Sequence, residues 1–389
     1  MAHPGSSHYV SIEPTLKKLA QQSDASDPGL AAEIANALSL LLDEKLSELQ
    51  AAALLALLHH RNKDKDVNVI SEWSFWTGTK RADNIWADWQ CDISGTGGNA
   101  AAIISVAAVA SVLASSMLLI AQHGYLSATS PTSSANTEDI LSNIKPNAPL
   151  LAKVTAERVP EIYKRSNYAF LPERNFAPEM QHANRIRLGL GIRTIFDLTS
   201  TLLHPIHASC VLEARVVGVA NPVLGPVLAQ AIQNMGVRKA LVVCGNDSMD
   251  IISPEGSTSC WMVRDLPAED NGSGIQEFRL QPRDFGLSEN PLTSIEAKGS
   301  FDQEAVVLSR VLHNQLSDDD PVLQCVLMHI AALFVTSGIC DTSQEDANAE
   351  RGPGGGRWKE GVRLARSCIA SGEALKALET FAYVSSQLD

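Results

Sequence analysis

Basic residues are in short supply in this 389-residue chain, 31 Lys and Arg against 44 Asp and Glu, for a formal net charge of −13. No Lys/Arg cluster interrupts that balance, so nucleic acid and anionic membranes, which are reached through basic patches, are excluded as expected partners. A phosphorylated small molecule is not excluded, because it needs only local positive potential. Cysteine is sparse and dispersed: Cys91, Cys210, Cys244, Cys260, Cys325, Cys340 and Cys368 show no Cys-x-x-Cys spacing and no paired His motif. That pattern fits reduced thiols better than a disulfide framework or a zinc site. Absent too are a P-loop ending in Gly-Lys-Ser/Thr, a spaced dinucleotide fingerprint and a Gly-x-Ser-x-Gly elbow. The start, Met-Ala-His-Pro-Gly-Ser-Ser, has no basic stretch followed by an apolar core. A signal peptide is therefore not expected, and the cytoplasm is the expected location.

What is present is ample apolar content, 45%, on a chain longer than one core usually serves, so two structural units are expected. Residues 1–26 read as a polar, loosely held start and residues 27–88 as a small helical domain. Residues 89–389 read as an α/β domain. Within the small domain, helices are expected over Leu30 to Arg61, followed by the charged turn Asn62-Lys63-Asp64-Lys65-Asp66. Trp73, Trp76, Trp86 and Trp89 read as packing between the two units rather than as a stacking platform. The uncharged run from Ala100 to Ala121 is about long enough to cross a bilayer. Its Ala and Ser content and lack of a basic flank favour a buried helix, Ala100 to Ser116, followed by a strand, Met117 to Ala121. Farther on, runs such as Val227 to Met235 and Ala240 to Cys244 alternate between helix and strand character, which predicts helices covering a mostly parallel sheet. Asp318-Asp319-Asp320 reads as a solvated helix start. A flexible loop over Ser343 to Gly356 precedes a closing helix, Trp358 to Leu375.

The segment richest in chemistry is Asp92-Ile93-Ser94-Gly95-Thr96-Gly97-Gly98-Asn99, an apolar strand that runs into three glycines and then an uncharged helical run. Glycines let backbone N–H groups approach phosphate oxygens, and the following helix adds its positive end. This stretch resembles the phosphate-gripping loop of the anthranilate phosphoribosyltransferases, with Asn99 where that family has Asp. The resemblance continues in order through Gln122-His123-Gly124-Tyr125-Leu126, where the family reads Lys-His-Gly-Asn-Arg. It extends through Met180-Gln181-His182-Ala183-Asn184-Arg185-Ile186-Arg187. Next comes Leu190-Gly191-Ile192-Arg193-Thr194-Ile195-Phe196-Asp197-Leu198, similar to the family's Leu-Gly-Val-Arg-Thr-Ile-Phe-Asn-Leu. Arg215-Val216-Val217-Gly218-Val219, Gly236 to Gly245 and Asp250-Ile251-Ile252-Ser253-Pro254 complete it.

The resemblance implies an α/β fold in which a small N-terminal helical domain, completed by helices from roughly 150–175, is hinged to the larger domain. It also implies a homodimer formed through the small domain. It implies, further, that Gly95, Thr96, Gly97, Gly98 and Asn99 occupy the phosphate-loop positions and that Arg187 occupies the position of an Arg that binds the carboxylate of anthranilate. An Arg fork suits a planar carboxylate. Other positions depart from the family. The Asn-x-Ser-Thr segment falls on Ser105-Val106-Ala107-Ala108, Gln122 stands where a Lys counters phosphate charge, and Tyr125 and Leu126 alter the pocket wall. Pro131 with Ser133 replaces a Lys-Ser-Gly segment. Asp250 keeps one metal carboxylate and Ile251 removes the second, and a hard cation needs several oxygens.

The departures predict an anthranilate phosphoribosyltransferase-like enzyme repurposed to metal-independent lyase chemistry on a small carboxylic acid, with non-oxidative decarboxylation as the concrete case. In that reading no cofactor is expected, Arg187 orients the substrate carboxylate, and His123 supplies the proton. Apolar Leu126 and Ile251 desolvate the anion. The alternatives are a working anthranilate phosphoribosyltransferase of tryptophan biosynthesis, for which Mg²⁺ is expected, and a non-catalytic carboxylate-binding homologue.

Overall fold

The computed structural model describes residues 9–21, 29–81, 90–99, 102–124, 136–205, 212–264, 274–297, 301–341 and 350–388. The chain opens with four helices, α1 (Glu13–Ala20), α2 (Leu30–Leu42), α3 (Glu48–His60) and α4 (Val67–Arg81). α1 falls in the segment expected to be loosely held; Pro14 sits in its first turn, and Leu19 is buried against the neighbouring helices. α3 starts where Ser47 accepts a hydrogen bond from Gln50 N. Asn62 then takes a left-handed turn, the conformation that Asn tolerates among non-glycine residues, as the charged linker bends back.

Seven strands form one sheet in the order β3-β2-β1-β4-β5-β6-β7. They are β1 (Gln90–Gly95), β2 (Leu119–Gly124), β3 (Tyr168–Pro172), β4 (Leu212–Gly218), β5 (Ala240–Cys244), β6 (Thr258–Val263) and β7 (Ile275–Leu280). β1 to β5 pair in parallel, and β6 and β7 extend the sheet antiparallel. Between β1 and β2 lies α5 (Val106–Ala114), shorter than the helix expected from Ala100. Residues ahead of it are extended instead: Ile104 N donates to Ile295 O and Ala297 N to Ala102 O. At the other end Ser115 Oγ donates to Val112 O as the helix stops, and the strand begins at Leu119. No helix among the described residues is long and apolar enough to cross a membrane.

Short helices α6 (Thr137–Ser142) and α7 (Val159–Tyr163) precede β3, and α8 (Glu173–Phe176), α9 (Met180–Leu190) and α10 (Ile195–Thr199) follow it. Ile162 of α7 and the neighbouring Leu151 and Val154 bury into the sheet's core. The small core is completed by Ala177, Met180, Ala183, Ile186 and Phe196, so it is α9 and α10, and not the helices near 150–175, that close the helical unit. The amphipathic spacing of Met180, Ala183 and Ile186 accounts for this, because it places one apolar face of α9 on α2 and α3. Trp73 packs edge-on against Phe196 at 5.7 Å, which makes it part of this helical core; Trp86 and Trp89 lie outside the described residues.

α11 (Leu224–Asn234) covers β5 and β6 on one face of the sheet. On the other lie α12 (Phe301–Leu312), the buried α13 (Pro321–Ser337), α14 (Trp358–Ser371) and α15 (Glu373–Gln387). Asp320 caps α13 by accepting from Val322 N and Leu323 N, as its place at a helix start predicts. Gly372, at φ 70°, splits the expected closing helix into α14 and α15.

Candidate active site

The glycine loop leaves β1 at the C-terminal edge of the parallel strands, where ligands bind in open α/β sheets. Asp250 meets it there. Its Oδ2 accepts from Gly97 N at 2.8 Å, its Oδ1 accepts from Asn99 Nδ2 at 2.5 Å, and Asp250 N donates to Asn99 Oδ1 at 2.8 Å. Asn99 is therefore the amide that lets this carboxylate lie against the loop, since an Asp there would oppose it with like charge. Burial pushes the Asp250 carboxyl up, with Asn99, Gly97 and Arg193 offsetting part of the rise. The approach of chain to chain is close. A Cβ on Gly218 at the end of β4 would come within 1.7 Å of the Asp250 carbonyl oxygen, so only glycine fits.

Arg193 was not singled out as a functional residue in the sequence, yet its fork grips the loop: Nη1 donates to Gly97 O and Nη2 to Thr96 O, each at 2.9 Å. A cation thus lies against Thr96, Gly97 and Gly98. The signal was its place beside Thr194 and Asp197, which form the capping box of α10.

Arg187 does not stand open to a ligand. It is fully buried, donates from Nη2 to Asp197 Oδ1 at 2.6 Å and from Nη1 to Asn184 Oδ1 at 2.8 Å, and lies over the Phe196 ring. Asn184 Nδ2 passes the chain on to Glu173 Oε2 at 3.2 Å. The carboxylate expected from a substrate is thus supplied by Asp197, the residue at which the family motif has Asn.

Gln122 is likewise an interior residue and not a pocket wall. Its Nε2 donates to Ala107 O and Thr137 Oγ1, and its Oε1 accepts from Tyr168 OH at 2.8 Å. Alternation along β2 explains the placing: Gln122 faces the core, and His123 faces the other side. Ser105 is the residue before α5, and its N donates to Glu304 Oε2 at 2.9 Å. Ile251 is buried in the main core. Tyr125, Leu126, Pro131 and Ser133 lie outside the described residues.

His123 does reach a cleft. This narrow cleft, partly open to solvent, lies between the sheet edge and the helical unit, and Glu173, Phe176, Met180, Leu203 and Pro205 help line it. His123 Nε2 faces Ser200 O at 3.2 Å, and its Nδ1 faces Asp92 Oδ1 at 3.5 Å. Asp92 Oδ2 accepts from Arg215 Nη2 at 3.0 Å, and both residues are fully buried. Burial pushes the Asp92 carboxyl up, but His123, Arg215 and His204 outweigh it and hold the group well below the usual carboxylate range.

The family profile described as "Glycosyl transferase family, a/b domain" matches residues 88–375. Anthranilate phosphoribosyltransferase of Schizosaccharomyces pombe is 30% identical over 357 residues, which span 90% of this chain and 91% of the relative. The Rubrobacter xylanophilus enzyme of that name is 29% identical over 96% of this chain and 98% of its own. The structure of the Saccharomyces cerevisiae anthranilate phosphoribosyltransferase in complex with PRPP and Mg superimposes with a TM-score of 0.79 at 27% identity, covering 97% of this chain and 99% of that one. The fold and the glycine-loop edge thus place the molecule among glycosyl transferases of this α/β class. The chain belongs to the anthranilate phosphoribosyltransferase family.

Proposed function

We propose that the protein is a transferase of the anthranilate phosphoribosyltransferase type, joining a phosphoribosyl donor to the amine of an aromatic acceptor. The observation that carries this reading is the collinear likeness over nine-tenths of both chains to the S. pombe enzyme. The convergence of glycine loop, Asp250 and cleft at one sheet edge agrees with it. In this scheme the diphosphate side of the donor lies on the loop's backbone N–H groups, with the Arg193 guanidinium against the loop and the start of α5 beyond. The aromatic acceptor lies in the cleft, where Phe176, Met180 and Leu203 offer apolar walls. Arg187 donates to Asp197 and Asn184, and Asn184 in turn donates to Glu173, so the guanidinium already has a carboxylate and a second carboxylate stands at the cleft. An acceptor presenting its amine to that side of the cleft is favoured over one presenting a carboxylate.

Magnesium, which the yeast relative holds with PRPP, fits the residues here poorly. Asp250 has both carboxylate oxygens engaged by Gly97 and Asn99, and the next residue is the buried, apolar Ile251. No step of the transfer is assigned to the ion. Donor binding must displace Asp250 from Gly97 N, which predicts weak affinity. The test is complementation of a tryptophan auxotroph lacking the anthranilate transfer step, with calorimetry against PRPP with and without Mg²⁺. Growth with measurable PRPP binding supports the reading, and no binding at millimolar donor overturns it.

A second reading, metal-independent lyase chemistry with decarboxylation as the concrete case, is favoured by the same internal closure of the loop by Asp250 and Asn99. His123 at the cleft is then the proton donor. Release of CO₂ from a panel of aromatic acids, abolished by His123→Ala, supports it; absence of CO₂ release across the panel sinks it. Under either reading we expect a homodimer through the helical unit, where Leu49 of α3 and Leu188 of α9 stand exposed. Light scattering at the dimer mass, lost on Leu49→Lys with Leu188→Lys, tests this.

A further inference from the structure

Three side chains far apart in sequence meet beneath the cleft. Asp92 on β1, His123 on β2 and His204 after α10 are all buried, and one ligand atom from each lies within 4.8 Å of the others. The rings of His123 and His204 pack edge to face with centroids 4.5 Å apart.

The hydrogen bonds decide which nitrogens face inward. His204 Nε2 lies 2.7 Å from Ala121 O, and His123 Nε2 lies 3.2 Å from Ser200 O. A carbonyl only accepts, so both Nε2 atoms carry hydrogen, and in a neutral ring the lone pair is then on Nδ1. Fixing metal-binding imidazoles through the remote N–H is the usual outer-shell arrangement of histidine ligands. Asp92 Oδ2 is likewise held, by Arg215 and by Ser94 Oγ at 3.2 Å, leaving Oδ1 inward. Two of these inward atoms, Asp92 Oδ1 and His123 Nδ1, are buried without a hydrogen-bond partner. With His123 neutral, the carboxylate oxygen and the imidazole lone pair both only accept, so they need something electron-poor between them: a proton, which makes Nδ1 a donor to Asp92, or a metal ion. Their separation of 3.5 Å is close to the roughly 3.3 Å between ligand atoms that bonds of about 2.0–2.1 Å in a tetrahedral zinc site require.

We propose that Asp92, His123 and His204 form a binding site for one divalent d-block cation of zinc type, with two imidazoles, one carboxylate and a fourth ligand from outside the protein. His123 also lines the cleft, so the three-residue cluster lies one side chain away from where a small molecule enters. Nitrogen and oxygen donors of this kind select zinc and its neighbours over magnesium. Asp92 and Arg215 already cancel in charge, so a dication leaves the pocket positive. The fourth ligand is accordingly an anion, hydroxide or the carboxylate of a small molecule.

The experiment is titration of metal-free protein with Co²⁺, followed by visible absorption and calorimetry, with Zn²⁺ as competitor. Wild type is expected to bind one Co²⁺ per chain with a d–d band that Zn²⁺ abolishes. His123→Gln and His204→Gln keep an amide N–H for the carbonyl while replacing the imidazole donor by a weaker amide oxygen, and each is expected to weaken binding at least tenfold. Where a variant fails to fold, X-ray absorption of zinc-loaded wild type decides, with two imidazoles and one further oxygen ligand from the protein expected in the shell. Failure of wild type to bind one equivalent at millimolar Co²⁺, undiminished binding by both folded variants, or a shell with no imidazole overturns the site.

Discussion

Replacing Asp197 with Asn probes whether Arg187 belongs to the protein's own interior or to a ligand. Asp197 uses both oxygens: Oδ1 accepts from Arg187, and Oδ2 accepts from Thr194 N at 2.8 Å and Thr194 Oγ1 at 3.2 Å to cap α10. Asparagine has one oxygen. Turned toward Arg187, it sets its NH₂ against the Thr194 N–H; turned toward Thr194, it sets NH₂ against the guanidinium. Either way a donor opposes a donor, and Arg187, fully buried, loses its compensating charge. Removal of one partner from a buried pair costs about 3–5 kcal/mol, and because asparagine keeps one of the acceptor contacts, the loss is expected near 3 kcal/mol. Urea denaturation followed by circular dichroism measures it. The double variant Arg187→Met with Asp197→Leu should lose less than Asp197→Asn alone, because an apolar pair of similar volume leaves no stranded charge. A loss below about 1 kcal/mol for Asp197→Asn would refute the interior assignment, on the scale of ordinary surface changes. So would stabilisation of wild type by anthranilate that disappears in Arg187→Met, which would return Arg187 to carboxylate binding.

Asn99→Asp places a second carboxylate against Asp250. It should cost about 2–3 kcal/mol at neutral pH, through a lost hydrogen bond to a charged group and added like-charge repulsion. Sharing a proton raises the pair's folded pKa, so the deficit appears as pH rises past the ordinary carboxylate range and vanishes below it; a pH-independent deficit in urea midpoints would contradict this. His329 is held neutral, accepting from Ile252 N at its Nε2 and facing Cys325 O with its Nδ1, and burial lowers its pKa to about 4. The unfolded chain takes up that proton near 6.5, the folded chain only near 4, so this group's contribution is complete above 6.5 and is lost as pH falls toward 4, by about 3 kcal/mol. His329→Gln should flatten the stability profile across that window, and an unchanged slope would count against it. Burial raises the thiols of Cys91, Cys325 and Cys340 to about 12 and those of Cys244 and Cys368 to about 11. These five should resist a thiol-disulfide reagent in the native protein at pH 8 and react only after denaturant; rapid modification of any of them, located by mass spectrometry, would be the contrary result.

The fold was legible because its signals are local and repeated. Val227 to Met235 and Ala240 to Cys244 announce a helix and a strand by composition, and both stand in the structure within a few residues. Boundaries failed where a tertiary contact overrode propensity. Residues 102–104 are helix-compatible in composition, yet pairing with Ile295 and Ala297 holds them extended. The partition of helices between the two cores failed for the same reason, since nothing local tells α7 to face the sheet and α9 to face α2 and α3.

Site residues were legible as positions and not as environments. Asn99, which stands in sequence where the family has Asp, is the partner of Asp250; Gln122, which stands where the family has a Lys, is a satisfied core amide. Seeing either required knowing which face a side chain takes, and along β2 a single step reverses it. Zinc was set aside in the sequence because cysteine and histidine show no ligand spacing, a test that sees only ligands close in sequence. Asp92, His123 and His204 are separated by whole β-α units, and parallel strand order alone brings β1 and β2 side by side so that their C-terminal ends share one pocket. His204 joins them because α10 ends at Thr199 and the turn after it carries the ring back over Ala121. A constellation of that kind is set by sheet topology, so the same three residues in a chain with β1 and β2 separated by another strand would not meet in one pocket.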